Sequence, residues 1–137
     1  VKSICHWVGG KPLEGGSGRY GPVYNPATGE QQAEVAFASA EEVDVAVKAA
    51  AEAAEEWSES SLSQRSKILF AFRELVNSKM GELAGLVTDE HGKVYFDALG
   101  EVQRGLEVVE FACGIPHLLK GEYSDQVSRG VDVFSFR

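Results

Sequence analysis

Residues 100–105 read Gly-Glu-Val-Gln-Arg-Gly within a stretch of helical periodicity, and Arg104 poses the first chemical question of the chain. Its guanidinium stands beside Gly105 and within two turns of Val108 and Phe111. On a helical wheel it leaves the main apolar stripe and joins a second one with Val108 and Phe111. Two readings are open. Glu101, one turn earlier, can pair with it on a wet helix face, the arginine stem lying on apolar neighbours. Alternatively, the fork is a cation reserved for an anionic ligand. Gly105 is a reason to expect a close approach to the backbone there, because glycine in a helix interior costs about 1 kcal/mol relative to alanine.

Other residues offer less. Cys113 and His117 are four apart, a metal-ligand spacing on an unbroken helix, and Cys5-His6 would complete four ligands. Pro116 interrupts the first pair, and neighbours on a strand point to opposite faces, so a buried thiol and a loop histidine are the expectation. His91 falls in the last turn of a helix, where a cation suits the dipole. No serine has a base beside it with a carboxylate behind, so a nucleophilic triad has no support. Gly16-Ser17-Gly18-Arg19-Tyr20-Gly21 matches the dinucleotide fingerprint letter for letter. That motif works only where a helix begins inside it, and Pro22-Val23-Tyr24-Asn25-Pro26 cannot begin one. It reads as a glycine-rich loop.

The positioning elements follow from composition and period. The 137 residues are 44% apolar and 25% charged, the profile of a globular domain or a large piece of one. Thirteen basic residues scattered among twenty-one acidic ones, for a net charge of −8, argue against nucleic acid as a partner. Two distant cysteines suggest reduced thiols rather than a disulfide framework. No apolar run reaches the length of a membrane span, and the first residues carry no signal-peptide pattern. Val1 stands where an initiator methionine would, so that end is open to processing or trimming.

Residues 1–37 look extended: "SICHWV" alternates, Gly9-Gly10 offers a tight turn, and Tyr20–Tyr24 pairs with a second arm carrying Ala33, Val35 and Phe37 across "NPATGE". Pro22 keeps the first arm at an edge or falls near its start, since it cannot donate to a ladder. Ser39 and Glu42 form a capping box for a first helix, whose buried stripe is expected at Val43, Ala46, Val47, Ala50, Ala54 and Trp57, with Glu52, Glu55, Glu56 and Glu59 wet. Ser63 is the expected N-cap of a second helix with Ile68, Leu69, Phe72, Leu75, Val76 and Met80 inside. A third carries Leu83, Leu86 and Val87 and stops at Gly92. The fourth packs Ala98, Val102, Leu106, Val109 and Ala112, flanked by Leu99 and Cys113, and ends at Pro116. "GEYSDQ" reads as a loop and "VSRGVDVFSFR" as a terminal strand whose aromatics want a partner sheet. There is no internal repeat.

"VYNPATGE", "AFASAEEVDVAVKAA", "WSESSLSQRSKILFAFRELV" and "ELAGLVTDEHGK" resemble the N-terminal part of the aldehyde dehydrogenase superfamily. "DALGEVQRGLEVVEFACGIPHLLKGEYS" with "VSRGVDVFSFR" is similar, more narrowly, to its CoA-acylating methylmalonate-semialdehyde dehydrogenase branch. The resemblance spans essentially the whole chain. It implies an α/β fold, with residues 1–137 contributing an N-terminal β-hairpin region, four helices and a C-terminal strand of an oligomerisation sheet. The helical part of the cofactor domain would cover about 38–119, with flanking strands at 1–37 and 126–137. It implies NAD- and CoA-dependent oxidation of malonate or methylmalonate semialdehyde to acetyl-CoA or propionyl-CoA by a homo-oligomer. It gives Arg104, the arginine of "GEVxRG", the substrate carboxylate as its ligand.

The family's catalytic cysteine, glycine-rich cofactor loop and "PFNFP" asparagine match nothing in residues 1–137, and Cys5 and Cys113 match neither motif. The expectation is therefore an N-terminal portion with no catalytic, cofactor-binding or metal-binding residue of its own, inactive and cofactor-free in isolation. A bacterial-type cytoplasm is the expected compartment, or the mitochondrial matrix if Val1 is a processed end. Two rivals are a non-catalytic helical oligomerisation or binding module, and another aldehyde dehydrogenase branch.

Overall fold

The computed structural model describes residues 2–137; Val1, and with it the expectation of a processed end, lies outside the described residues. The chain is mixed α/β and divides into two compact units, Val1–Ser60 with Ala84–Ala98, and Ser61–Leu83 with Leu99–Arg137.

In the first unit, β1 (Lys2–Ile4), β5 (Gln31–Ala36) and β4 (Tyr20–Tyr24) form a sheet in the order β1-β5-β4. The central strand β5 runs parallel to β1 and antiparallel to β4 and buries Ala33 and Ala36. Pro22 lies on β4 at the edge, where its missing N–H removes no inner hydrogen bond. β2 (His6–Val8) and β3 (Lys11–Leu13) make a separate hairpin. Gly9 and Gly10, at φ +60° and +78°, supply its turn, as a two-residue connection with both central residues left-handed demands. "SICHWV" is thus two strands. Ile4 registers with Val35 but His6 with Leu13, so the chain changes sheets at Cys5.

Helix α1 (Ala40–Glu59) starts at the Ser39–Glu42 capping box. Ser39 Oγ accepts from the Glu42 N–H at 3.3 Å, and the Glu42 carboxylate accepts from the Ser39 N–H at 2.7 Å. Glu42 also accepts from the Gly16 N–H at 2.6 Å, so one side chain ties the glycine-rich loop to the helix start. The expected buried stripe of α1 is corrected: none of its residues is buried, and Val43, Val47 and Trp57 are exposed. The β2–β3 hairpin covers this face only loosely, leaving an open cleft of about 310 Å³ lined by Trp7, Val8, Val43 and Val47 and a second one further along lined by Gly9, Ala50 and Ala53. The acidic residues Glu52, Glu55, Glu56 and Glu59 are exposed as anticipated.

The Glu42 bonds carry a pH signature. Acceptance from the Ser39 N–H, then from the Gly16 N–H, holds its carboxyl below the ordinary 4.5. A depressed folded pKa contributes stability above the unfolded value and loses it as pH falls through the folded one. Glu42→Gln is therefore expected to flatten the acid limb of a stability curve below about pH 5. An unchanged limb in acid-denaturation profiles contradicts this. Ser39→Ala, which removes the reciprocal cap, is expected to cost about 1 kcal/mol at neutral pH in denaturant titration.

α3 (Met80–His91) and α4 (Tyr95–Cys113) are continuous helices divided between the units. Within the first, Ala84 and Ala98 are fully buried. Gly92 follows α3 at φ +80° and donates to the Thr88 carbonyl at 2.8 Å, the left-handed C-terminal stop read from sequence. A Cβ there would meet Pro26 at 3.1 Å, so the β4–β5 turn packs on it. Gly92→Ala is expected to destabilise by about 1–2 kcal/mol, from the strained φ and the tight contact together. Equal midpoints for the two proteins in thermal denaturation contradict it.

In the second unit, α2 (Leu62–Ser78) begins at Ser61 and not at Ser63, because Ser61 and Gln64 form a second capping box. Its inner face is also corrected. Ser66 is buried, and Leu62, Leu69, Val76 and, past its end, Met80 are half-buried, whereas Ile68, Phe72 and Leu75 are exposed. α4 ends at Cys113, and a fifth helix, α5 (Ile115–Leu118), follows the Gly114 corner. Four expected helices become five, since Pro116 falls in the first turn of α5, where no N–H is missed. "GEYSDQ" is not a loop: β6 (Glu122–Ser128) pairs antiparallel with β7 (Val131–Ser135), and the lone terminal strand becomes a hairpin. The Tyr123 ring packs on Phe134 with centroids 4.7 Å apart, and the Tyr123 hydroxyl bridges Asp125 and Asp132 at 3.2 Å each. Asp132 also accepts from the Gln126 N–H at 2.9 Å, holding Gln126 at φ +49° in an irregular register.

Candidate substrate-recognition site

The face of α4 that turns inward was anticipated: Ala98, Leu106 and Cys113 are buried, with Val102, Val109 and Ala112 half-buried between them. Leu106, 2% exposed, is the largest wholly enclosed side chain among the described residues. This packing fixes the rotation of the helix, and so it dictates that Arg104 faces out.

Two arginines meet carboxylates on or beside α4, in opposite ways. Arg73 of α2 donates from Nε and Nη2 to Glu110 at 2.9 and 2.6 Å and from Nη1 to Glu74 at 2.6 Å. The Glu110 bonds above all push its pKa above the ordinary arginine value, and its fork is used up in joining α2 to α4. Arg104 meets Glu101 only at 3.9 Å, beyond hydrogen-bond reach, and its side chain is 68% exposed. A Cβ on Gly100 would lie 3.5 Å from Arg104 Nη1, so the guanidinium folds back over the preceding turn. Around Gly105 there is open space, and no described residue makes the close approach its type suggested. Val108 and Phe111 continue the exposed stripe, Phe111 at 69%.

A cation with an uncommitted planar fork stands between glycine positions and an apolar shelf, the chemistry of carboxylate or phosphate recognition.

The remaining candidates separate. Cys5 and His6 belong to the first unit, Cys113 and His117 to the second. Among the described residues no group of three or more His, Cys, Asp or Glu side chains is placed to hold a metal. Cys113 and His117 do line a common cleft of about 530 Å³, with Ser63, Ser66, Phe70 and Glu110. The Ser66 hydroxyl there is buried and has no hydrogen-bond partner among the described residues. No sequence pattern announces this cleft, since it arises where the Gly114 corner turns α5 back toward α2. His91 occupies the last turn of α3, as read.

The glycine-rich loop does not fit a dinucleotide. A strand, β4, begins at Tyr20, the Gly16 N–H is already taken by the Glu42 carboxylate, and that negative charge opposes a pyrophosphate. Instead Ser17 Oγ donates to the Phe37 carbonyl and Arg19 Nη2 to the Ala38 carbonyl at 2.8 Å, so the loop braces the β5–α1 junction.

The sequence profile of the aldehyde dehydrogenase family matches residues 13–137. The chain belongs to this family. Malonate-semialdehyde dehydrogenase 2 of Geobacillus thermodenitrificans strain NG80-2 is 46% identical over all 137 residues, which cover 28% of that relative. Among solved structures, the methylmalonate-semialdehyde dehydrogenase of Oceanimonas doudoroffii matches 99% of the chain at 40% identity and a TM-score of 0.89. A Sinorhizobium meliloti 1021 structure, named as the same kind of enzyme and solved with NAD, matches 98% at 41% identity and a TM-score of 0.89. The chain spans 28% of the length of each. As an aldehyde dehydrogenase chain it carries the α/β fold of these structures in the five helices and paired strands of its described residues. No helix of the described residues is long and apolar enough to cross a membrane.

Proposed function

We propose that the protein containing this chain is a CoA-acylating malonate- or methylmalonate-semialdehyde dehydrogenase that uses NAD, and that Arg104 binds the carboxylate of its substrate. The observation that carries the reading is the exposed, uncommitted fork of Arg104 on α4, within a chain similar along its whole length to dehydrogenases named for acidic semialdehydes. A bidentate contact matches both carboxylate oxygens and fixes the distance and direction of the aldehyde carbon three atoms away. A neutral aldehyde offers nothing to that fork.

The bond-making steps belong to residues outside 2–137. NAD would accept the hydride and CoA the acyl group when bound; the family's catalytic cysteine and glycine-rich cofactor loop match nothing in this chain, so the chain alone is proposed to be inactive. Its contribution is to orient the substrate. The exposed edges of β6 and β7, with Tyr123, Phe134 and Phe136 uncovered, support a further proposal that the enzyme is a homo-oligomer joined through this hairpin. The unpaired thiols, exposed at Cys5 and buried at Cys113, suit the reducing cytoplasm proposed as its compartment.

The test is a substrate comparison with the complete protein, following NADH formation. Malonate semialdehyde is expected to exceed propanal in kcat/KM by about a hundredfold or more, the worth of one bidentate ionic contact. Parity between them defeats the proposal.

A further inference from the structure

Glu101 lies one turn before Arg104 on the same face of α4, its Oε1 3.9 Å from Arg104 Nη2. Both side chains reach solvent, and Glu101 is the less exposed of the two at 42% against 68%. The pair is loose: it holds no hydrogen bond across that distance, unlike the Arg73–Glu110 contacts at 2.6 and 2.9 Å on the same helix. A pair of this kind contributes little to folding. It does place a fixed negative charge beside the fork.

From this geometry we infer that Glu101 is the resident counter-ion of Arg104 and a specificity-determining residue, which an incoming carboxylate must displace. The inference rests on the carboxylate role proposed for Arg104. With the site empty, Glu101 partly offsets the charge of the guanidinium. When a ligand carboxylate takes the fork, two like charges stand within roughly one helix turn of each other, and their repulsion weakens every acid that binds there. Glu101 thereby sets the affinity for acidic aldehydes. A neutral aldehyde, which does not engage the fork, is indifferent to it.

The experiment uses the complete enzyme and the variants Glu101→Gln, Glu101→Asp, Arg104→Leu and the double variant Glu101→Gln/Arg104→Leu. Glu101→Gln keeps the shape and removes the charge. It is expected to lower KM for malonate semialdehyde about three- to fivefold, the effect of one unit charge at about 6 Å in a water-like medium. Its kcat, and both constants for propanal, stay at wild-type values. Glu101→Asp retains the charge and the wild-type KM. The gain shrinks as salt rises, and in the double variant it vanishes, because the partner of the charge is gone.

An unchanged or raised KM for the acidic substrate in Glu101→Gln overturns the inference, as does an equal fall for propanal. If Arg104→Leu is selective for the acidic substrate while Glu101→Gln is silent, only the counter-ion role falls. If Arg104→Leu harms both substrates alike, the carboxylate reading falls and takes this one with it.

Discussion

Arg104→Leu is expected to reduce kcat/KM for malonate semialdehyde by about two to three orders of magnitude in the complete enzyme, and to leave propanal within about threefold of wild type. The size follows from losing two parallel charge-assisted hydrogen bonds and from facing a carboxylate with an apolar side chain. Selectivity follows from exposure. The Arg104 side chain is 68% exposed and Glu101 stands 3.9 Å from it, so leucine there disturbs little but the ligand. Arg104→Lys is expected to fall between, because an ammonium keeps the charge but not the planar fork. Steady-state kinetics on the two substrates decides the matter, and equal losses on both contradict the role.

Leu106→Ala, two residues further along α4, has the opposite profile. Leu106 is 2% exposed in the second unit, and truncating it removes buried methyl groups and leaves a cavity. A loss of about 3 kcal/mol is expected, read as a lowered midpoint in denaturant or heat. The preference for acidic over neutral aldehyde should survive in whatever fraction remains folded. The two substitutions together separate what α4 does by packing from what it does by facing out. A Leu106→Ala protein of wild-type stability would mean that this helix is not anchored as described.

The same distinction explains what the sequence disclosed. Elements whose signal is local were legible: the Ser39–Glu42 box, the Gly9-Gly10 turn, the Gly92 stop and the edge position of Pro22 all depend on residues within a few positions of one another. The inner face of α4 was legible for another reason, since its apolar residues recur every three or four positions and are in fact covered. On α1 and α2 the same pattern misled. Val47, Ile68 and Phe72 recur at helical spacing but are exposed, because periodicity marks which face is apolar and not what covers it.

The errors at the end of the chain have a different source. Ser124, Asp125 and Gln126 have the composition of a loop, and β6 exists because Tyr123, Asp132 and Phe134 reach across from or toward β7, a pairing that no single segment announces. Ser61 rather than Ser63 caps α2 because Gln64 stands three residues after the former. For the site, residue type and spacing made Arg104 conspicuous, but by themselves they favoured a surface ion pair with Glu101, and only the family resemblance turned the reading toward a ligand. The structure adds the contrast with Arg73: one fork is consumed by Glu110, the other is not. The Ser66–Cys113–His117 cleft lay beyond any sequence pattern, since it depends on the corner at Gly114.

The most direct measurement is of product. The complete protein, given malonate semialdehyde, NAD and CoA, should form acetyl-CoA and NADH in equal amounts, detected by mass and by absorbance in the same reaction. Free acid in place of the thioester, or no NADH at all, would contradict the assignment of this chain to an acylating semialdehyde dehydrogenase.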